Sequence, residues 1–280
     1  MLGMVTSRTW LRSVVSFCAV VLAGLAQAAG STIDVAGKSV DLTKLKPVEV
    51  TRPDIQVAGQ RHYRGVPLSA LVDSLKPGKQ ADTVLLKFAN GMQVPLPRDP
   101  KLWKELEPFI ALQVERDGAW SADFPEAAKA GAEERDVRPL VFNGNKFVVS
   151  TAAHPATAAA ARENGFTPFA YVDTLVGVEL VNAAEREQAI KVTKDAAAQP
   201  GFKVFLSHCQ FCHGVRQVGA RYGRDFATPS LAEKDAKALL LHVRYRDADA
   251  AEKGQMMPYF RDVGADDVKA LLTWIRAVEK

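Results

Sequence analysis

Cys209-Gln210-Phe211-Cys212-His213 is the stretch on which the reading of this chain turns. Two thiols three positions apart fit one turn of helix, and an imidazole follows the second thiol directly. A C-x-x-C pair can be a thioredoxin-type dithiol, but that arrangement wants a βαβ context, and the flanks here are helix-like in pattern. It can also be half of a zinc site. Such a site wants four ligands, and the chain holds no second C-x-x-C.

The histidine adds a third possibility. C-x-x-C-H is the attachment signature of c-type haem. Cys209 and Cys212 would each form a thioether with a vinyl group, and His213 would turn its imidazole towards the iron as an axial ligand. The compartment agrees with this third reading, as the start of the chain indicates.

Residues 1–28 have the form of a secretory signal. Arg8 and Arg12 give a positive start, and Ser13 to Leu25 is apolar but shorter than a membrane span needs. Ala26-Gln27-Ala28 is a small-x-small cleavage site, with an uncleaved anchor as the alternative. Of the three cysteines, Cys18 lies in the apolar run, so Cys209 and Cys212 are the two of the mature chain. An exported pair of this kind could form a disulfide; attachment of haem would use both thiols. The expected location is the periplasm. No later run of about 18 apolar residues appears, so no membrane span is expected after signal cleavage. The net charge of +4 is too small for a nucleic-acid binder.

The 280 residues exceed what one ordinary domain needs. The expected fold class is α+β: a β-rich N-terminal domain over 30–184, a connector over 185–199 and a small all-α domain over 200–280. In the first domain, Ile33, Val35, Val40 and Leu42 alternate about a Gly37-Lys38 turn as in a hairpin. Val48 to Val50 continues the strand pattern. Tyr63 to Leu68 reads as a turn that feeds a helix carrying Leu68, Leu71, Val72 and Leu75, ended by Pro77-Gly78. Thr83 to Phe88 and Gln93 to Leu96 flank Asn90-Gly91, a strong hairpin signal. Further strands are expected at Phe109–Val114, Leu140–Phe142, Phe147–Val149 and Leu175–Val181, and a short helix over Ala152–Ala161 before an Asn164-Gly165 turn.

Tyr63 to Leu68, the helix after it, the Asn90-Gly91 hairpin and Tyr171-Val172-Asp173-Thr174-Leu175 together resemble the molybdopterin-binding domain of the sulfite oxidase family. That family holds molybdenum through a cysteine upstream of the turn that Tyr63 to Leu68 resembles. Here no cysteine lies between Gly24 and His208. A soft thiolate is thus missing, and no molybdenum is expected. His62 and His154 are lone histidines, and Arg61, His62 and Arg64 form a basic cluster that is either a solvated turn or an anion site.

In the second domain, Phe202 and Phe205 share a helical face leading into the motif, and a middle helix is expected over about Ala232–Tyr245. Asp266-Asp267 favour a helix start. Val268, Leu271, Leu272, Ile275 and Val278 then make an apolar stripe, with Trp274 on its flank. This layout resembles a class I c-type cytochrome domain. The resemblance implies one covalent haem c and a sixth, methionine ligand before a proline. In Met256-Met257-Pro258 that points to Met257, with Met256 as the rival. A thioether suits haem iron and raises its potential; otherwise both methionines only fill the pocket. His242 and His208 are the other nearby imidazoles. The resemblance also implies that the Pro229 carbonyl accepts a hydrogen bond from His213.

Residues 200–280 carry 13 Lys and Arg against 10 Asp and Glu. Arg216, Arg221 and Arg224 either make a positive rim for an acidic partner or are simply solvated. The expected function is a monohaem electron carrier between redox proteins, a periplasmic dehydrogenase for example, with the N-terminal domain as a docking module and no catalytic residues. The alternatives are a fused oxidoreductase, whose N-terminal domain oxidises a small anion and passes electrons to the haem, and a haem sensor or structural cytochrome.

Overall fold

A computed structural model describes residues 31–53, 60–76, 78, 80–122, 124, 145–149, 172, 174–244, 260 and 262–279. The signal-like start, the strand expected at Leu140–Phe142, the helix expected over Ala152–Ala161, His154, Met256 and Met257 lie outside the described residues.

The architecture is α+β, with most of the described β structure before residue 182 and most of the described helix after it. One five-stranded sheet has the order β2-β1-β10-β5-β6, built from β1 (Thr32–Val35), β2 (Lys38–Asp41), β5 (Thr83–Phe88), β6 (Gln93–Pro97) and β10 (Leu175–Val181). Among the described residues only β1 and β10 run parallel. The first hairpin turns at Ala36 and Gly37, both at positive φ, one residue earlier than expected. Its Ile33 and Val35 point into the core, as their alternation required. The second sheet contains β3 (Val48–Pro53), β4 (Gln60–Pro67), β7 (Phe109–Arg116), β8 (Ala119–Ser121) and β9 (Lys146–Val148).

Tyr63 to Leu68 is not a turn. Tyr63 to Pro67 lie in β4, paired with both β3 and β7. Gly65 and Pro67, which signalled a turn, serve the sheet instead. A Cβ at Gly65 would lie 2.1 Å from the Ile110 carbonyl oxygen, so only glycine permits this approach at the bulge between Arg64 and Gly65. Pro67 ends the strand and leads into α1 (Leu68–Ser74), which buries Leu68, Leu71 and Val72. A second short helix, α2 (Pro100–Leu106), is capped by the Asp99 carboxylate.

The stretch 185–199, expected as a connector, is built into both halves. Helix α3 (Ala183–Lys191) starts with the amide of Ala183 donating to Asp82 and the Asn182 side chain donating to the Gln80 carbonyl. It ends with Ile190 buried in the second core.

That core is formed by α4 (Gln199–Val204), a π-turn (Phe205–Cys209), α5 (Pro229–Ala232), α6 (Ala236–Arg244) and α7 (Ala265–Glu279). Trp274 is not on the flank of the α7 stripe but at its centre. Its ring lies 4.7 Å from that of Phe205 and 5.6 Å from that of Phe202, and it is fully buried. Its indole N–H donates to the Lys191 carbonyl, which lets the polar edge of so large a side chain be buried. Helices α4 and α7 cross where Gly201 meets Ala270. A Cβ at Gly201 would fall 2.0 Å from the Ala270 carbonyl oxygen.

Gly201→Ala should therefore lower stability by about 1–3 kcal/mol by forcing the two helices apart. Helix propensity alone would give a gain of up to about 1 kcal/mol. Thermal unfolding of the variant reads the sign directly.

Candidate haem-attachment site

The motif is wound tightly by its own backbone. The amide of Gln210 donates to the Phe205 carbonyl, five residues back, and the amides of Cys212 and His213 both donate to the Cys209 carbonyl. The helix leading into the motif thus widens to a π-turn at its end, a local form often found at functional sites. Both cysteines are buried, and they are not joined to each other. They face different neighbours. Cys209 belongs to the helical core with Phe205 and Phe226, while Cys212 belongs to the core of the first sheet, with Phe211 and Tyr222 packed beside it.

Burial shapes the chemistry of both thiols. It pushes Cys212 up to about 12, and pushes Cys209 higher still, with the neighbouring Cys212 adding to the effect. A thioredoxin-type nucleophile needs the opposite shift. The pair therefore does not match a thioredoxin-type nucleophile, and both sulfurs lie in an apolar setting.

His213 is held in one orientation. Its Nδ1 lies 2.7 Å from the Arg224 carbonyl oxygen, an acceptor, so Nδ1 carries the proton and Nε2 the lone pair. Phe226 meets the ring edge-on at a centroid distance of 4.8 Å. Gly223 lies against it so closely that a Cβ there would be 2.3 Å from the imidazole Cε1. The acceptor is thus Arg224 and not Pro229. Pro229 opens α5, and its carbonyl accepts the Glu233 amide. The chain after Gly223, whose amide donates to the Cys212 carbonyl, returns to the motif earlier than the resemblance implied.

A tight hairpin follows His213, with β11 (Gly214–Val215) paired to β12 (Val218–Gly219). Arg216 and Gln217 take positive φ at its turn, and the Asp225 carboxylate accepts the amides of both and that of Ala227. The Arg216 guanidinium donates twice to the Val278 carbonyl at the C-terminal end of α7, where a cation is favoured. Arg216 is therefore spent on the fold, while Arg221 and Arg224 are exposed.

Among the other candidates, His208 is tied outward, with Nε2 2.8 Å from Asp262 and its ring edge-on to Phe260. The side chain of His242 lies outside the described residues. The Phe260 amide donates to the Val243 carbonyl, and both residues belong to the helical core. In the β-rich part, Arg61, His62 and Arg64 lie on β4 rather than in a turn. His62 pairs with Glu115 at 2.7 Å, and Arg64 lies 3.6 Å from Glu49 and over the Trp120 ring.

Several partners of the motif gave no sequence signal. The Gln93 amide donates to the Phe211 carbonyl, its side chain donates to the Gly219 carbonyl, and the Arg221 amide donates to the Gly91 carbonyl. The Arg186 guanidinium donates to the Gln210 side chain at 2.6 Å.

Two apolar-lined sulfurs one turn apart, a fixed imidazole with its lone pair on Nε2, and a glycine that leaves room at the ring make a donor set that fits a covalently attached iron tetrapyrrole.

Residues 196–275 match the family model described as cytochrome C oxidase, cbb3-type, subunit III. No curated protein matches the chain. The matched span covers α4 through most of α7, so the C-terminal part is a c-type cytochrome domain. Such a domain implies covalently bound haem c and an electron-carrying haem protein.

Gly223→Ala should displace the His213 ring and break its bond to Arg224. A loss of about 1–3 kcal/mol in thermal unfolding, with a changed His213 Nδ1 proton resonance, is the expected outcome. An unchanged resonance would mean that the glycine does not set the ring's position.

Proposed function

We propose that this chain is an exported, periplasmic monohaem c-type cytochrome that passes single electrons between redox proteins. The observation that carries the reading is the His213 imidazole, fixed by the Arg224 carbonyl within one turn of Cys209 and Cys212. Cys209 and Cys212 would bind the haem covalently, and His213 would hold the iron through Nε2. Met257 would supply a thioether to the iron, with Met256 as the rival. When bound, haem supplies one-electron chemistry between two oxidation states of its iron. An imidazole and a thioether as the protein's donors would suit electron transfer rather than substrate chemistry.

The protein's own contribution is orientation and exclusion of water. Phe205, Phe226 and Trp274 pack the side of Cys209, and Phe211 and Tyr222 pack that of Cys212. The exposed Arg221 and Arg224 supply positive charge near the motif that would steer an acidic partner. The N-terminal β-rich region acts as the docking module for that partner and holds no molybdenum, since it has no cysteine to bind it. The periplasmic assignment is supported by the signal-like residues 1–28 and by the extracytoplasmic setting typical of the matched domain. Among the described residues no helix is long and apolar enough to cross a membrane.

A pyridine haemochrome spectrum of c type with one haem per chain, and no molybdenum by elemental analysis, is expected of the exported protein. Molybdenum near one per chain would overturn the carrier reading in favour of an oxidoreductase. Met257→Ala should remove the weak long-wavelength band of methionine-ligated ferric haem and lower the midpoint potential. If Met256→Ala does so instead, the ligand is Met256.

A further inference from the structure

Among the described residues strand β6 is the last strand of its sheet, and an edge strand presents unpaired backbone groups that a protein must cover. Here the cover is the motif itself. Gln93 directs its amide out of the sheet to the Phe211 carbonyl at 3.0 Å, and the Gly91 carbonyl in the same hairpin accepts the Arg221 amide at 2.8 Å. The Gln93 side chain adds a third bond, to Gly219 at 3.1 Å. The fit is close: a Cβ at Gly91 would lie 3.0 Å from the Arg221 carbonyl carbon. From the other side, Arg186 on α3 donates to Gln210, whose own amide group reaches back to the Leu206 carbonyl.

Gln210 and Phe211 are the two residues between the cysteines. Each is held by a residue that lies upstream of the matched cytochrome span. We infer that Gln93 and Arg186 are positioning residues for the haem-attachment turn, and that the β-rich region is a fixed wall of the haem site rather than a freely swinging attachment. The inference rests on the haem reading of Cys209, Cys212 and His213.

The physical consequence lies in the environment of Cys212. Its wall is made by the core of the first sheet. Parting the two regions would let water reach that wall. Water favours the more highly charged, oxidised iron centre, so the midpoint potential would fall. A residue with a merely structural role would change the melting temperature and leave the potential where it was.

The test uses the full-length, haem-loaded chain. In the wild type, the amides of Gln93 and Arg221 should exchange with solvent within about tenfold of the Phe88 amide, which bonds to Met92 inside the same hairpin. Exchange more than about a hundredfold faster than Phe88 would show that the regions part independently, and would overturn the inference without any variant. In the double variant Gln93→Ala, Arg186→Ala, the Arg221 amide should exchange at least about tenfold faster, with Phe88 unchanged, and the midpoint potential should fall. Arg186→Lys, which restores a cationic donor to Gln210, should recover part of the shift. A double variant that carries its haem and keeps the wild-type potential and Arg221 exchange would also overturn the inference. Absence of covalent haem from the wild-type chain would instead overturn the attachment reading, and is seen before any variant is made.

Discussion

The hydrogen bond from His213 Nδ1 to the Arg224 carbonyl is the constraint on which this structure depends. An imidazole has two nitrogens, and the one that is protonated decides what the other can do. Tying Nδ1 to a backbone oxygen fixes the tautomer and the plane of the ring together. For that, residues 214–224 must fold back over the motif. The β11–β12 hairpin, its Asp225 clasp and the bare Cα of Gly223 make the return possible. The clasp of Arg216 on Val278 then ties this loop to the end of α7, and through α7 to Trp274 and the aromatic core.

The motif has a second set of supports outside the helical core. The two cysteines fall on opposite sides of a seam, one packed by the helices and one by the first sheet. The C-terminal helices are not the motif's whole support: β6 holds Phe211 through Gln93, and α3 holds Gln210 through Arg186. A small haem domain has little apolar surface of its own, so a β-rich neighbour that closes one side adds burial that its roughly 80 residues supply with difficulty.

Parts of this were legible in the sequence because the chemistry sits in adjacent residues. Cys209, Cys212 and His213 declare their spacing within five positions, and the α7 stripe declares its period over three turns. The β5–β6 hairpin was legible from Asn90-Gly91 for the same local reason. Tyr63 to Leu68 was misleading because Gly65 and Pro67 are turn signals in isolation. Their role here, letting β4 approach Ile110 and ending the strand, is set by β7, some forty residues away. The acceptor for His213 was misplaced because a backbone carbonyl has no side-chain signature; any residue brought to that point would serve. Gln93 and Arg186 were silent because one polar residue on a strand and one on a helix are ordinary. Only the docking of their elements on the motif gives them meaning.

The most direct measurement is peptide-level mass spectrometry of the chain after export and maturation. This account requires that the proteolytic fragment containing Cys209 to His213 carry the mass of one haem, bound through both sulfurs, with no fragment bearing free thiols. Recovery of that fragment with Cys209 and Cys212 unmodified, or linked to each other as a disulfide, would contradict it.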